Sequence, residues 1–130
     1  MGYRSDVAIA VYGPEEVIAP FVTANRLLGD IDFGDVDIYQ YTDGSVDKMC
    51  MVMVNFEDVK WYDSYKEVQE WTAFVERALG LTETEKLNVE FVRVGEEAGD
   101  IEQIAEGDDV EYYLGCASRI TIDLPEELAA

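Results

Sequence analysis

A mixed α+β domain is what this sequence predicts, on three observations. Residues 7–12 (VAIAVY) and 49–56 (MCMVMVNF) have the length and apolar content of buried strands. Residues 64–80 carry an apolar stripe at helical spacing, with a start signal and a stop signal. The segments between them alternate in the order strand, helix, strand, strand, helix, strand, followed by further strand-like sequence. The chain has 130 residues, 48% of them apolar, which suits one domain, residues 1–130, with a real core. Its acidity is therefore not that of a disordered tail.

In the first strand Val7, Ile9 and Val11 point one way and Ala8, Ala10 and Tyr12 the other. The small alanines leave room for a close neighbour. Gly13, Pro14, Glu15 and Glu16 then read as a helix start, with proline early and acids in the first turn. Val17, Phe21, Ala24 and Leu28 share a face, and Gly29 ends the helix. Pro20 either kinks this helix or marks its true beginning. Residues 35–42 alternate as a strand, with Val36 and Ile38 opposite Asp37, Tyr39 and Tyr41, and Asp43-Gly44-Ser45 is a turn signal. Residues 49–56 are apolar on both faces apart from Asn55, the pattern of a strand inside a sheet.

The second helix opens on a capping box, Ser64 with Glu67. Val68, Trp71, Val75 and Ala78 form its stripe, flanked by Phe74 and Leu79, and Gly80 is placed as its terminating glycine. Residues 87–94 (LNVEFVRV) read as a strand. Residues 95–107 are acidic, with a short helix expected at 100–105. Residues 110–124 hold a long strand or a hairpin broken at Gly115-Cys116, and residues 125–130 read as a frayed tail. The order βαββαβ, plus an extra C-terminal strand, is that of a ferredoxin-like split βαβ domain: an antiparallel sheet with two helices on one face.

The chain has 29 acids, 9 bases and no histidine, a net charge of −20. A direct nucleic-acid surface needs clustered Lys and Arg, so it is excluded, and an anionic membrane would repel this chain. Cys50 and Cys116 stand far apart with no CxxC and read as buried, reduced thiols rather than metal ligands. No apolar signal segment or run long enough to span a bilayer is present, and Asp6 occupies the position where myristoylation wants Ser or Thr. No phosphate-cradling glycine motif occurs. The aspartates from Asp30 resemble an EF-hand opening, but Asp35 and Tyr41 stand where glycine and glutamate are required. With no histidine and no cysteine beside a base, nothing points to catalysis. The expectation is a non-enzyme with no cofactor and no metal.

Charge pattern is the positive signal. Residues 30–47 hold six acids and no base, and residues 96–111 hold eight acids and no base. A duplex carries one charge per ~1.7 Å, so twenty charges match about 34 Å of DNA. A compact chain of this length is roughly 36 Å across. The chain thus carries about the charge of a duplex of its own size, and a basic groove would feel a comparable field. The expected partner-binding residues are Asp30, Asp32, Asp35, Asp37, Glu96, Glu97, Asp100, Glu102, Asp108 and Asp109. Trp61 and Tyr62 join them as aromatic contacts beside acids. The expected partner is a basic protein of the nucleic-acid-binding type, bound by a possible DNA mimic. Two other readings stand beside it: a structural or housekeeping protein whose acidity serves solubility or life in salt, and a divalent-cation-dependent ligand binder using residues 30–47. For the aromatics, the competing reading is that they cover the core where a loop meets a helix.

Three segments, GYRSDV (2–7), VKWYDSYKEV (59–68) and FVRVGEEAGDIE (91–102), resemble a family of small tailed-phage accessory proteins of unassigned role. The resemblance implies a phage product working in a host cytoplasm and brings no activity or catalytic residues. Arg4 and Arg93, scarce cations within those segments, are expected to pair with local acids such as Asp6 or Glu90.

Overall fold

The computed structural model describes residues 2–28, 36–42, 48–116 and 120–124. Their elements run β1 (Ser5–Pro14), α1 (Glu15–Leu28), β2 (Asp37–Thr42), β3 (Lys48–Val59), α2 (Lys66–Leu79), β4 (Asn88–Gly95), β5 (Ile101–Glu106), β6 (Leu114–Cys116) and β7 (Ile120–Ile122). The class is α+β. Five antiparallel strands form one sheet in the order β2-β3-β1-β4-β5, and β6 and β7 form a separate two-stranded sheet. Three strands after β4, not one, go beyond the expected βαββαβ plus a single addition.

Strand alternation sorts the core into two clusters. Val7, Ile9 and Val11 of β1, Cys50, Val52 and Val54 of β3, and Val89 and Phe91 of β4 face both helices, meeting Ile18, Phe21 and Val22 of α1 and Trp71, Phe74, Val75 and Ala78 of α2. Ala8, Ala10, Tyr12, Met51, Met53, Val92 and Val94 face the other way. There Leu114 is buried against them, and Val110, Tyr113, Ile120 and Leu124 pack around it. The doubly apolar pattern of residues 49–56 thus has a cause: helices lie on one side and the C-terminal segment on the other. Tyr41 is buried on this second face while Ile38 stays exposed, so the tyrosines of β2 point inward.

Several local expectations are corrected. Helix α1 starts at Glu15 and runs through Pro20. Pro20 and Glu16 are both exposed, so the carbonyl that loses its helical partner can be hydrated. Its buried face is Ile18, Phe21, Val22 and Asn25, while Ala24 is exposed. Of the expected stripe, Phe21 is in the core and Val17 packs against it, the Leu28 side chain lies outside the description, and Ala24 is replaced by Asn25, which turns inward, donating to the Phe21 carbonyl (2.8 Å) and accepting from Arg77 Nε (2.9 Å). The capping box does not form. Helix α2 begins at Lys66, and Tyr65 caps it with no side-chain bond. A turn closed by Tyr65 N–H on the Tyr62 carbonyl (2.9 Å) delivers the chain instead. Gly80 has a right-handed φ of −65°, so its freedom is not what ends α2, and turns carry on through residues 81–85.

The expected helix at 100–105 is a strand. Ile101, Ile104 and Ala105 mimic helical spacing, but Ile104 opposite Phe91 joins the core, and Glu102 opposite Arg93 pairs across the ladder. Gly99, at φ +83°, makes the turn into β5. Residues 110–124 take the hairpin alternative, with Gly115 and Cys116 inside β6 rather than at the break. The Cys116 side chain, Gly29, the turn at 43–45 and the tail from 125 lie outside the described residues. Among the described residues no helix is long and apolar enough to cross a membrane.

Candidate functional site: the β4–β5 edge and its cavity

Arg93 sits near the end of β4 on the helix-covered face, its side chain only 12% exposed. Its Nη2 lies 2.7 Å from Asp100 Oδ1 and 2.8 Å from Glu102 Oε1. Its Nε donates to Glu102 Oε1 (2.9 Å), and its Nη1 to Asp100 Oδ2 (3.2 Å) and Ser5 Oγ (3.1 Å). Arg93 thus donates four hydrogen bonds, and its Nη2 makes a further ion-pair contact with Glu102. The pairing raises the Arg93 pKa, Asp100 being the chief cause, and lowers that of Asp100.

The N-terminal segment ties onto the same cluster. Tyr3 donates its hydroxyl to Asp100 Oδ2 (2.5 Å) and accepts from Glu97 N–H (3.0 Å). Its hydroxyl pKa is raised, first by the bond to Asp100. Tyr3 N–H donates to the Tyr62 hydroxyl (2.6 Å), and Arg4 N–H to Glu96 Oε1 (3.0 Å). The three segments singled out in the sequence therefore meet in one place. The pairing expected of the arginines is different in detail. Arg93 binds Asp100 and Glu102, because Glu90 points to the opposite face. Arg4 donates to the Asp58 carbonyl (2.9 Å).

Beside Arg93 a cavity of about 540 Å³ opens between α2 and the β4–β5 edge. Val75, Leu79, Phe91 and Ile104 supply apolar lining, Trp61 and Tyr62 aromatic walls, and Asp63, Thr72, Glu76, Arg93 and Glu102 polar groups. Trp61 is steadied by Phe56, with ring centres 5.9 Å apart, and Tyr62 by Tyr65, at 5.1 Å. Among the described residues the carboxylates of Asp63 and Glu76 have no ion-pair partner. Nearby unpaired charge is thus anionic, and the one cation among the described lining residues, Arg93, is already paired with two carboxylates.

The other face of β4 holds Glu90, 1% exposed. Its Oε2 accepts from the Tyr12 hydroxyl (2.5 Å) and Tyr113 N–H (3.1 Å), and its Oε1 from Leu114 N–H (3.0 Å). Tyr12 OH in turn accepts from Glu111 N–H (2.7 Å), and burial pushes its pKa up strongly. This is a fully partnered buried carboxylate that fastens residues 111–114 to the sheet. Burial likewise raises the Cys50 thiol, which keeps it a poor nucleophile.

The expected partner-binding residues divide by place. Glu96, Glu97, Asp100 and Glu102 gather at one end of the β5 edge, with Trp61 and Tyr62 adjoining. Asp108 and Asp109 follow the other end of β5, where Asp109 N–H bonds Asn88 Oδ1 (3.0 Å). Asp100 and Glu102 are ion-paired to Arg93, whereas Glu97, Asp108 and Asp109 are exposed. Asp37 is on the opposite edge, four strand spacings or ~19 Å away. Asp30, Asp32 and Asp35 lie outside the described residues. Thr72 and Glu76 were not anticipated, since they look like an ordinary exposed helix face until β5 is placed beside them. Compared with known proteins, the chain matches no family model, no curated protein and no solved structure.

Proposed function

We propose that this chain is a non-enzymatic acidic binding protein that docks on a basic protein surface, of the kind that otherwise holds nucleic acid, through its β5 edge. One observation carries the reading. From residue 96 to residue 111 the exposed side chains include Glu96, Glu97, Glu102, Glu106, Asp108, Asp109 and Glu111, with no Lys or Arg among them. The nearest cation on the neighbouring strand, Arg93, is turned inward and paired with two carboxylates. Glu102 and Glu106 stand on one side of an edge strand, ~13 Å apart at the strand rise. Such an edge both resists pairing with another strand and presents an anionic line. The resemblance of the three segments supports placing this activity among phage accessory proteins in a bacterial cytoplasm, with a host or defence protein as target and DNA mimicry as mode. For the fold, we read β1 to β4 with α1 and α2 as a ferredoxin-like core. That reading is supported by the order β4-β1-β3-β2 within the sheet, β5 being an addition outside β4.

The test is capture from bacterial lysate on the immobilised chain at rising ionic strength, with duplex DNA as competitor. The expected result is retention of basic proteins at low salt, their release as salt screens the charges, and their displacement by DNA. Capture insensitive to salt, or no basic protein at low salt, would overturn the reading.

A further inference from the structure

We infer that the cavity between α2 and the β4–β5 edge is a socket for an arginine side chain of the basic partner, an inference that rests on the acidic-binder reading and gives it a specific contact. The charge balance selects the occupant. An anion would need a free cation, and Arg93, the one cation in the wall among the described residues, is already paired with two carboxylates, Asp100 and Glu102, and donates four hydrogen bonds to Asp100, Glu102 and Ser5. The carboxylates of Asp63 and Glu76 have no ion-pair partner among the described residues. A cationic head is therefore favoured, on a stem that can lie against Val75, Leu79, Phe91 and Ile104. Arginine suits such walls better than lysine. Its planar guanidinium is more weakly hydrated, stacks on aromatic faces, and forms paired bonds with carboxylates. Trp61 and Tyr62 are already held by Phe56 and Tyr65, so little ordering cost remains to be met on binding. The volume of about 540 Å³ is ample for an arginine head and its stem.

The experiment is an NMR titration of the full chain with an arginine-rich peptide and with a lysine-rich peptide of equal length and charge. It is repeated on Glu76→Lys, a change at an exposed helix position that places a competing cation at the cavity, and on Glu16→Lys, which lies on α1 and serves as a charge-matched control. The expected result is that the arginine peptide shifts the amides of Thr72, Glu76, Leu79 and Ile104 and binds more tightly than the lysine peptide. Glu76→Lys should weaken it about tenfold, while Glu16→Lys changes it far less. Shifts confined to residues 96–111, with the cavity amides silent, would overturn the socket and leave the acidic edge standing. Equal binding of the two peptides would overturn the choice of guanidinium. No binding of either peptide at low salt would overturn the acidic-binder reading itself.

Discussion

Strand β4 carries two charged side chains three positions apart, Glu90 and Arg93, and the sheet sends them to opposite faces with opposite solutions. Glu90 is buried among neutral donors, namely the Tyr12 hydroxyl and the amides of Tyr113 and Leu114. Arg93 is met by two carboxylates near the edge, one of them 60% exposed. The first arrangement anchors backbone in a place closed to bulk solvent. The second joins side chains that solvent can rehydrate. The comparison teaches that in this very acidic chain the costly charge is the solitary carboxylate in the core, and the ion pairs at the rim are its cheaper fastenings.

Breaking the Glu90 side should have the largest effect. Glu90→Ala leaves two backbone amides and a hydroxyl without their acceptor, and we expect a loss of about 3–5 kcal/mol in denaturant unfolding. Faster hydrogen exchange at Tyr113 and Leu114 should accompany it. Glu90→Gln keeps one acceptor oxygen and should cost less. Stability within ~0.5 kcal/mol of the parent for Glu90→Ala would mean that residues 111–114 are not held this way.

Arg93→Met should be milder, about 1–2 kcal/mol, since Asp100 and Glu102 can turn to water. Its signature is local: exchange should quicken at Glu97 and Gly95 but not at Leu114. A uniform loss across the sheet would contradict the division of labour between the two faces.

Asp100 sharpens the same comparison through pH. Its folded pKa is lowered by Arg93 first and Tyr3 second. Its contribution is therefore fully present above the ordinary aspartate value of about 3.9 and is lost as pH falls through the lower folded value. Asp100→Asn should lower stability at neutral pH, where the parent has the full contribution, and converge with the parent in acid, which flattens the acid limb of the stability curve. An unchanged acid limb, measured by thermal unfolding across pH, would show that the pair is not coupled to folding.

Legibility in the sequence followed the range of the interactions. The strands β1, β3 and β4 and the stripe of α2 could be read because alternation and helical period are local. On α1 Phe21 was read correctly, but Asn25 was passed over in favour of Ala24 because its bond to Arg77 comes from fifty-two positions away. The β5 strand was missed because Ile101, Ile104 and Ala105 carry helical spacing, and only the pairing of Ile104 with Phe91 and Glu102 with Arg93 resolves it. Trp61 and Tyr62 were visible as aromatics beside acids. The cavity they line was not, since its walls come from residues 61–63, 72–79 and 91–104. Glu90 could be seen as a carboxyl in an apolar strand, but its donors are remote: Tyr12 lies 78 residues earlier, and Tyr113 and Leu114 lie 23 and 24 residues later.

The central claim is that location, not net charge, makes the β5 edge a docking surface. Affinity for the arginine-rich peptide should be measured at several salt concentrations for two variants of equal charge change. One is Glu106→Lys with Asp108→Lys and Asp109→Lys on the β5 side; the other is Glu16→Lys with Asp37→Lys and Glu57→Lys elsewhere. The account predicts that the first loses about tenfold or more beyond the second at low salt, with a shallower salt dependence. Equal losses in the two variants would contradict it.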